Sequence, residues 1–200
     1  MSEEPISINI LALGNSTVGK TSYLIRNTKN KFEMNSATIG YNILKKEIKL
    51  KDGKKVIINF YDTSGQERYH CLAPNFIKKA DGIILMYDIT NRESFEKISK
   101  WRKDILDNKE KDFPVILVGN KSDLENERQV QREEGENIAK EFNFIFYEVS
   151  NKDGTNVKES SRELISMVLN YNSNDIMSTC SKLSKKKMSK RKCFFSRIKC

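Results

Sequence analysis

The stretch from Gly14 to Thr21 reads GNSTVGKT and fits the pattern G-x-x-x-x-G-K-[ST] at every fixed position. Gly14 and Gly19 permit a backbone that turns inward the amides of Asn15, Ser16, Thr17 and Val18, a nest for phosphate oxygens beside a helix N-terminus. Lys20 can then reach the β- and γ-phosphates, and the Thr21 hydroxyl can ligate Mg²⁺. A second stretch, Asp62-Thr63-Ser64-Gly65-Gln66, supplies complementary groups. Asp62 can hold Mg²⁺, usually through water, Gly65 can offer a backbone N–H to a terminal phosphate, and Gln66 can orient an attacking water. A third, Asn120-Lys121-Ser122-Asp123, has the chemistry of base recognition. The Asp123 carboxylate can accept both the N1–H and the exocyclic N2–H of guanine. Adenine lacks that donor pair, and a buried carboxylate left unpaired would reject it. The Lys121 stem can cover a base face, and Asn120 can tie this loop to the phosphate loop. Each of the last two motifs alone is an ordinary loop. In this order behind a phosphate loop they are specific.

The elements that must position these residues are legible in the hydrophobic pattern. The apolar run Ile6 to Leu13 leads into the phosphate loop as a buried strand, and Ser22 to Arg26 continues as a helix. Asn27 to Gly40 is polar, lacks periodicity and reads as an exposed loop. Tyr41 to Leu50 and Lys54 to Asp62 are strand-like around Asp52-Gly53, a hairpin signal. A short helical piece near Asn75 to Ala80 precedes the buried strand Gly82 to Asp88. Glu93 to Asn108 carries Phe95, Ile98, Trp101, Ile105 and Leu106 at helical spacing, which assigns Trp101 to the core. Val115 to Asn120 is a further strand, Arg132 to Phe142 a helix, Phe144 to Val149 a strand and Asn156 to Asn170 a last amphipathic helix. Apolar strands alternating with helices predict an α/β fold with a six-stranded, mostly parallel sheet, and the hairpin adds one antiparallel edge strand. Ligands of such sheets bind beyond the C-terminal ends of the strands, where each motif falls.

Of the 200 residues, 1–171 are expected to form one domain and 172–200 a disordered tail. The net charge of +9 lies entirely in the tail, because residues 177–200 hold nine Lys/Arg and no acid, and the remainder balances. A neutral domain argues against a nucleic-acid-binding surface. The four cysteines show no disulfide or metal-ligand spacing, and MSEEPIS is no signal peptide, so a cytoplasmic setting is expected. His70, the single histidine, falls in a polar loop and reads as a surface residue.

With these motifs in order, the chain resembles a small GTPase of the Ras superfamily, built on the P-loop NTPase G-domain fold, over about residues 6–170. Thr38-Ile39-Gly40, Gln66-Glu67-Arg68-Tyr69 and Tyr87-Asp88-Ile89-Thr90 make it most similar to the Rab branch, and His70-Cys71-Leu72-Ala73-Pro74 to the endosomal Rabs. The resemblance implies GTP or GDP with Mg²⁺ as ligands and slow hydrolysis of GTP, with Gln66, Lys20 and Thr38 as the catalytic set. It implies that Thr38 meets Mg²⁺ and the γ-phosphate, that Phe32 stacks edge-on with guanine, and that Ser150-Asn151-Lys152 contacts the guanine O6 through backbone N–H. A guanine nucleotide exchange factor, a GTPase-activating protein, GTP-state effectors and prenylation and GDI-type chaperones are the implied partners. The implied role is a switch in membrane trafficking, held reversibly on the cytosolic face of endomembranes.

The sequence also departs from the family. Asn151 stands for the usual Ala, Ser64 for the Ala of D-T-A-G, and Thr17 where Gly is frequent, while the segment from Phe32 to Thr38 is one residue short. These departures leave open a module that holds nucleotide and barely hydrolyses it. The tail SKLSKKKMSKRK suits an anionic membrane surface, where each Lys or Arg contributes about 1 kcal/mol. Cys200 is the prenylation candidate by resemblance, and Cys193 beside Phe194-Phe195 a second lipid site, although the end is neither C-a-a-X nor a Cys pair.

Overall fold

The structure is a computed structural model that describes residues 5–32, 41–50, 53–63, 73–110 and 112–173. Among the described residues six strands form one sheet: β1 (Ile6–Leu13), β2 (Tyr41–Lys49), β3 (Lys55–Thr63), β4 (Gly82–Asp88), β5 (Val115–Asn120) and β6 (Ile145–Val149). Their spatial order is β2-β3-β1-β4-β5-β6. All neighbours run parallel except β2 against β3, which forms the antiparallel edge. The helices are α1 (Lys20–Lys29), α2 (Ala73–Lys79), α3 (Arg92–Glu96), α4 (Ile98–Leu106), α5 (Arg132–Phe142) and α6 over 157–173.

Strand residues alternate between two buried faces, and the apolar composition of β1, β4 and β5 follows from that. Leu11, Leu13, Ile83, Leu85, Tyr87 and Leu117 pack under α2 to α5 with Ile77, Phe95, Ile98, Trp101 and Phe142. Ile8, Ile10, Ala12, Ile84, Met86, Ile116 and Val118 pack under α1 and α6 with Tyr23, Leu24, Leu164 and Val168. Among the described residues, helices cover both faces and leave the strand ends open for a site.

Two local expectations are corrected. The loop expected from Asn27 begins later, because α1 continues to Lys29 and Asn30 closes it with a left-handed φ of 56°. Asn27 is buried, and tertiary partners satisfy its polar groups. Its Nδ2 donates to Val157 O at 3.2 Å, while Lys46 Nζ on β2 donates to its carbonyl O at 2.7 Å and its Oδ1 at 2.9 Å. The single helix expected over Glu93 to Asn108 is two, divided at Lys97. Asn91 opens the first by accepting from Ser94 N, and Lys97 N–H is shared between the carbonyls of Glu93 and Phe95, which tightens the turn there.

Candidate functional site

The phosphate loop joins β1 to α1, and its two fixed glycines are required for space as well as conformation. Gly14 has φ 135°, and a Cβ there would lie 2.2 Å from the Met86 carbonyl oxygen on β4. Gly19 has φ 95°, and a Cβ there would lie 2.2 Å from Asn120 Nδ2. Between them Thr17 is also left-handed, at φ 62°. Lys20 is buried, and its ammonium donates to the carbonyls of Gly14 at 2.9 Å and Asn15 at 2.7 Å. Burial brings its pKa down to about 8, and the negative charge of Asp62 acts in the opposite direction. Helix α1 begins without a side-chain cap and with no acidic residue in its first turn. The loop thus opens onto the positive end of α1 with a buried ammonium beside it, and the cradle fits a polyphosphate.

Trp101 is in the core, as its spacing predicts, and it also reaches this loop. Its indole Nε1–H donates to Asn15 Oδ1 at 3.2 Å. Trp101→Phe keeps most of the ring packing and removes this bond. It is expected to lower stability by about 1 kcal/mol, read as a shift in the urea midpoint; an unchanged midpoint would show the bond to be idle.

The β3 end brings Asp62 under α1. Thr21 Oγ1 donates to Asp62 Oδ2 at 2.7 Å, and Thr63 Oγ1 donates to Ala12 O at 2.8 Å, fastening this strand end to β1. Among the described residues no group of three His, Cys, Asp or Glu could hold a metal by itself. One hydroxyl and one carboxylate suit Mg²⁺, which takes its other ligands from phosphates and water.

The base-recognition loop is fastened to the phosphate loop. Asn120, buried at the end of β5, donates from Nδ2 to Val18 O at 2.7 Å. Lys121 has φ 68° and places its ammonium 2.5 Å from Asp88 Oδ2. Asp88 is itself fixed, since Thr90 N and Thr90 Oγ1 donate to its Oδ1 at 2.9 and 2.8 Å. Ser150 Oγ donates to Asp123 Oδ1 at 2.8 Å and accepts from Asp153 N at 3.0 Å, which orients the carboxylate. Asn151 Nδ2 donates to Gly19 O at 3.0 Å. Arg26 on α1 donates from Nε to Asn151 O at 2.9 Å and from Nη2 to Lys152 O. Asn15, Ser16, Thr17, Val18, Gly19, Lys20, Thr21, Asp62, Asn120, Lys121, Asp123, Ser150, Asn151 and Lys152 thus gather beyond the C-terminal strand ends. Phe32 is exposed just past α1. Thr38, Gly65, Gln66, Cys193 and Cys200 lie outside the described residues, as do Ser64, His70 and the tail from 174 onward.

Three participants escaped the sequence reading. Asp88, as the brace of Lys121, was detectable as an acid closing an otherwise apolar buried strand. Arg26 and the side chain of Asn151 had no local signal, because their partners are far away in the chain.

A family model described as "Ras: Ras family" matches residues 9–170. Human EF-hand calcium-binding domain-containing protein 4B is 43% identical over 152 residues, which are 76% of this chain and 21% of that protein. Rat Ras-related protein Rab-15 is 41% identical over 165 residues, 82% of this chain and 77% of the relative. Bovine Ras-related protein Rab-3C is 39% identical over 160 residues, 80% of this chain and 70% of the relative. The chain therefore spans about a fifth of the EF-hand relative and most of the two Rab relatives. With a sheet and strand-end site of this kind, the chain belongs to the Ras family and is a Rab-like small GTPase of the Ras superfamily.

Proposed function

We propose that this protein binds GTP and GDP with Mg²⁺, hydrolyses GTP slowly, and serves as a nucleotide-dependent switch in membrane trafficking. The observation that carries the reading is the Asn120–Val18 bond, which makes one site of the base loop and the phosphate loop. At one end Lys20 and the first amides of α1 face the phosphates, with Thr21 and Asp62 beside them for Mg²⁺. At the other, Asp123 accepts from guanine while Ser150 holds it in register. Bound Mg²⁺ would neutralise charge between the β- and γ-phosphates. By family correspondence Thr38 and Gly65 contact the γ-phosphate, Gln66 orients the attacking water, and Phe32 lies at the edge of the base.

Loss of the γ-phosphate then releases the segments around Thr38 and Gly65, so effectors meet a surface specific to the GTP state. The partners are an exchange factor, a GTPase-activating protein, GTP-state effectors and GDI-type chaperones. No helix among the described residues is long and apolar enough to cross a membrane. The basic tail with lipid on Cys200, and on Cys193 as a second site, would hold the protein on an anionic leaflet, since one lipid chain alone anchors only marginally.

The test is single-turnover hydrolysis of preloaded GTP, with Gln66→Leu alongside and excess ATP present during loading. Slow conversion in the parent, lost in Gln66→Leu and insensitive to ATP, is expected. Stable GTP without turnover in either protein would remove hydrolysis from the proposal, and failure to load GTP would overturn the proposal entirely.

A further inference from the structure

The phosphate loop holds two features that belong together. Thr17 is a β-branched residue at φ 62°, a region such residues rarely occupy and one that stores strain. Two residues later, the carbonyl of Gly19 accepts a hydrogen bond from Asn151 Nδ2 at 3.0 Å. The carbonyl of Val18, between them, accepts from Asn120 Nδ2 at 2.7 Å. Consecutive carbonyls at the end of the loop are therefore held by two buried amides from two different strand ends. Asn151 is in turn held from behind, because Arg26 Nε binds its carbonyl at 2.9 Å.

We infer that Asn151 is a positioning residue that braces the phosphate loop against the strain introduced by Thr17, and so slows release of the bound nucleotide. The strain favours a loop that opens. The Asn120 bond restrains its apex side, and the Asn151 bond closes the last peptide, whose left-handed Gly19 leads directly into Lys20 and the first turn of α1. An alanine at position 151 would leave the Gly19 carbonyl without this partner while sparing the backbone of 151 and 152 for the base. The brace acts on phosphates through the loop. It does not act on the base. This inference rests on the guanine-nucleotide reading above.

The experiment is a double-mutant cycle of Thr17→Gly and Asn151→Ala in the full chain, reading the release rate of fluorescent GDP and the affinity for GMP by competition. GMP keeps the base and lacks the β-phosphate. Asn151→Ala alone is expected to speed GDP release about 3- to 10-fold, the range of one hydrogen bond. In the Thr17→Gly background the same change is expected to act less than about 2-fold, because the strain it opposes is gone. GMP affinity should fall by a smaller factor than GDP release rises. An equal acceleration in both backgrounds, an equal loss for GMP, or no acceleration would each overturn the inference. If the parent binds no guanine nucleotide, the functional reading fails. The urea midpoints of the four nucleotide-free proteins then decide the brace alone: non-additive shifts support it, and additive ones overturn it.

Discussion

Asp123→Asn is expected to lower GDP affinity by on the order of 10³-fold and to raise affinity for xanthosine diphosphate, measured by competition for one fluorescent nucleotide. The carboxylate offers two acceptors to two neighbouring donors of guanine. An amide replaces one acceptor with a donor, which then opposes the N2–H and leaves both groups desolvated and unpaired. Xanthine presents a carbonyl at that position and accepts the new donor. The bond from Ser150 Oγ to Asp123 Oδ1 holds the side chain at 123 in place for this exchange. A GDP affinity within about threefold of the parent would mean that Asp123 does not read the base.

The largest effect on stability is expected away from the site, at Arg128. Its guanidinium binds Glu148 through two bonds of 2.7 and 3.1 Å, and the two side chains are only 10% and 7% exposed. It also donates to Glu125 at 2.8 and 2.7 Å and to the Val130 carbonyl at 2.9 Å. Arg128→Ala would strip buried Glu148 of its hydrogen-bonded counter-charge, a loss of about 3–5 kcal/mol for such pairs. Arg132 stands 3.9 Å from Glu148 and holds the loss to the lower end. For a domain of this size about 3 kcal/mol corresponds to a fall in Tm of roughly 6–12 °C. Arg128→Met with Glu148→Leu removes both charges and is expected to recover most of the loss, since a packed apolar pair replaces a buried ion pair at little cost. Equal falls in the single and double variants would point to lost packing and remove the buried charge as the cause.

The phosphate loop, Asp62 and the Asn120–Asp123 loop were legible in the sequence because their chemistry needs fixed residue types at fixed spacing directly after apolar strands. The sheet was legible for a related reason. Strands buried on both faces, such as Gly82–Asp88, admit almost nothing but apolar side chains. Other features depend on partners that no local pattern encodes. Asn151 meets Gly19 across 132 positions, Arg26 meets Asn151 across 125, and Trp101 meets Asn15 across 86. Asn27, in the last turn of α1, has a loop-like residue type because its polar groups answer to Lys46 and Val157 rather than to solvent. The division at Lys97 was hidden because the apolar spacing runs through it unbroken.

The strand order also has a consequence for how the protein is made. The first strand of this sheet to be synthesised, β1, lies in the interior of the sheet and pairs with β3 and β4. Lys55, where β3 begins, follows Leu13 by 42 residues. At about 5–20 residues per second, β1 waits roughly 2–8 s for its first neighbour. Throughout that interval the apolar segment Ile8 to Leu13 lacks the native partner of both its edges, which ties folding of the phosphate loop to the arrival of β3.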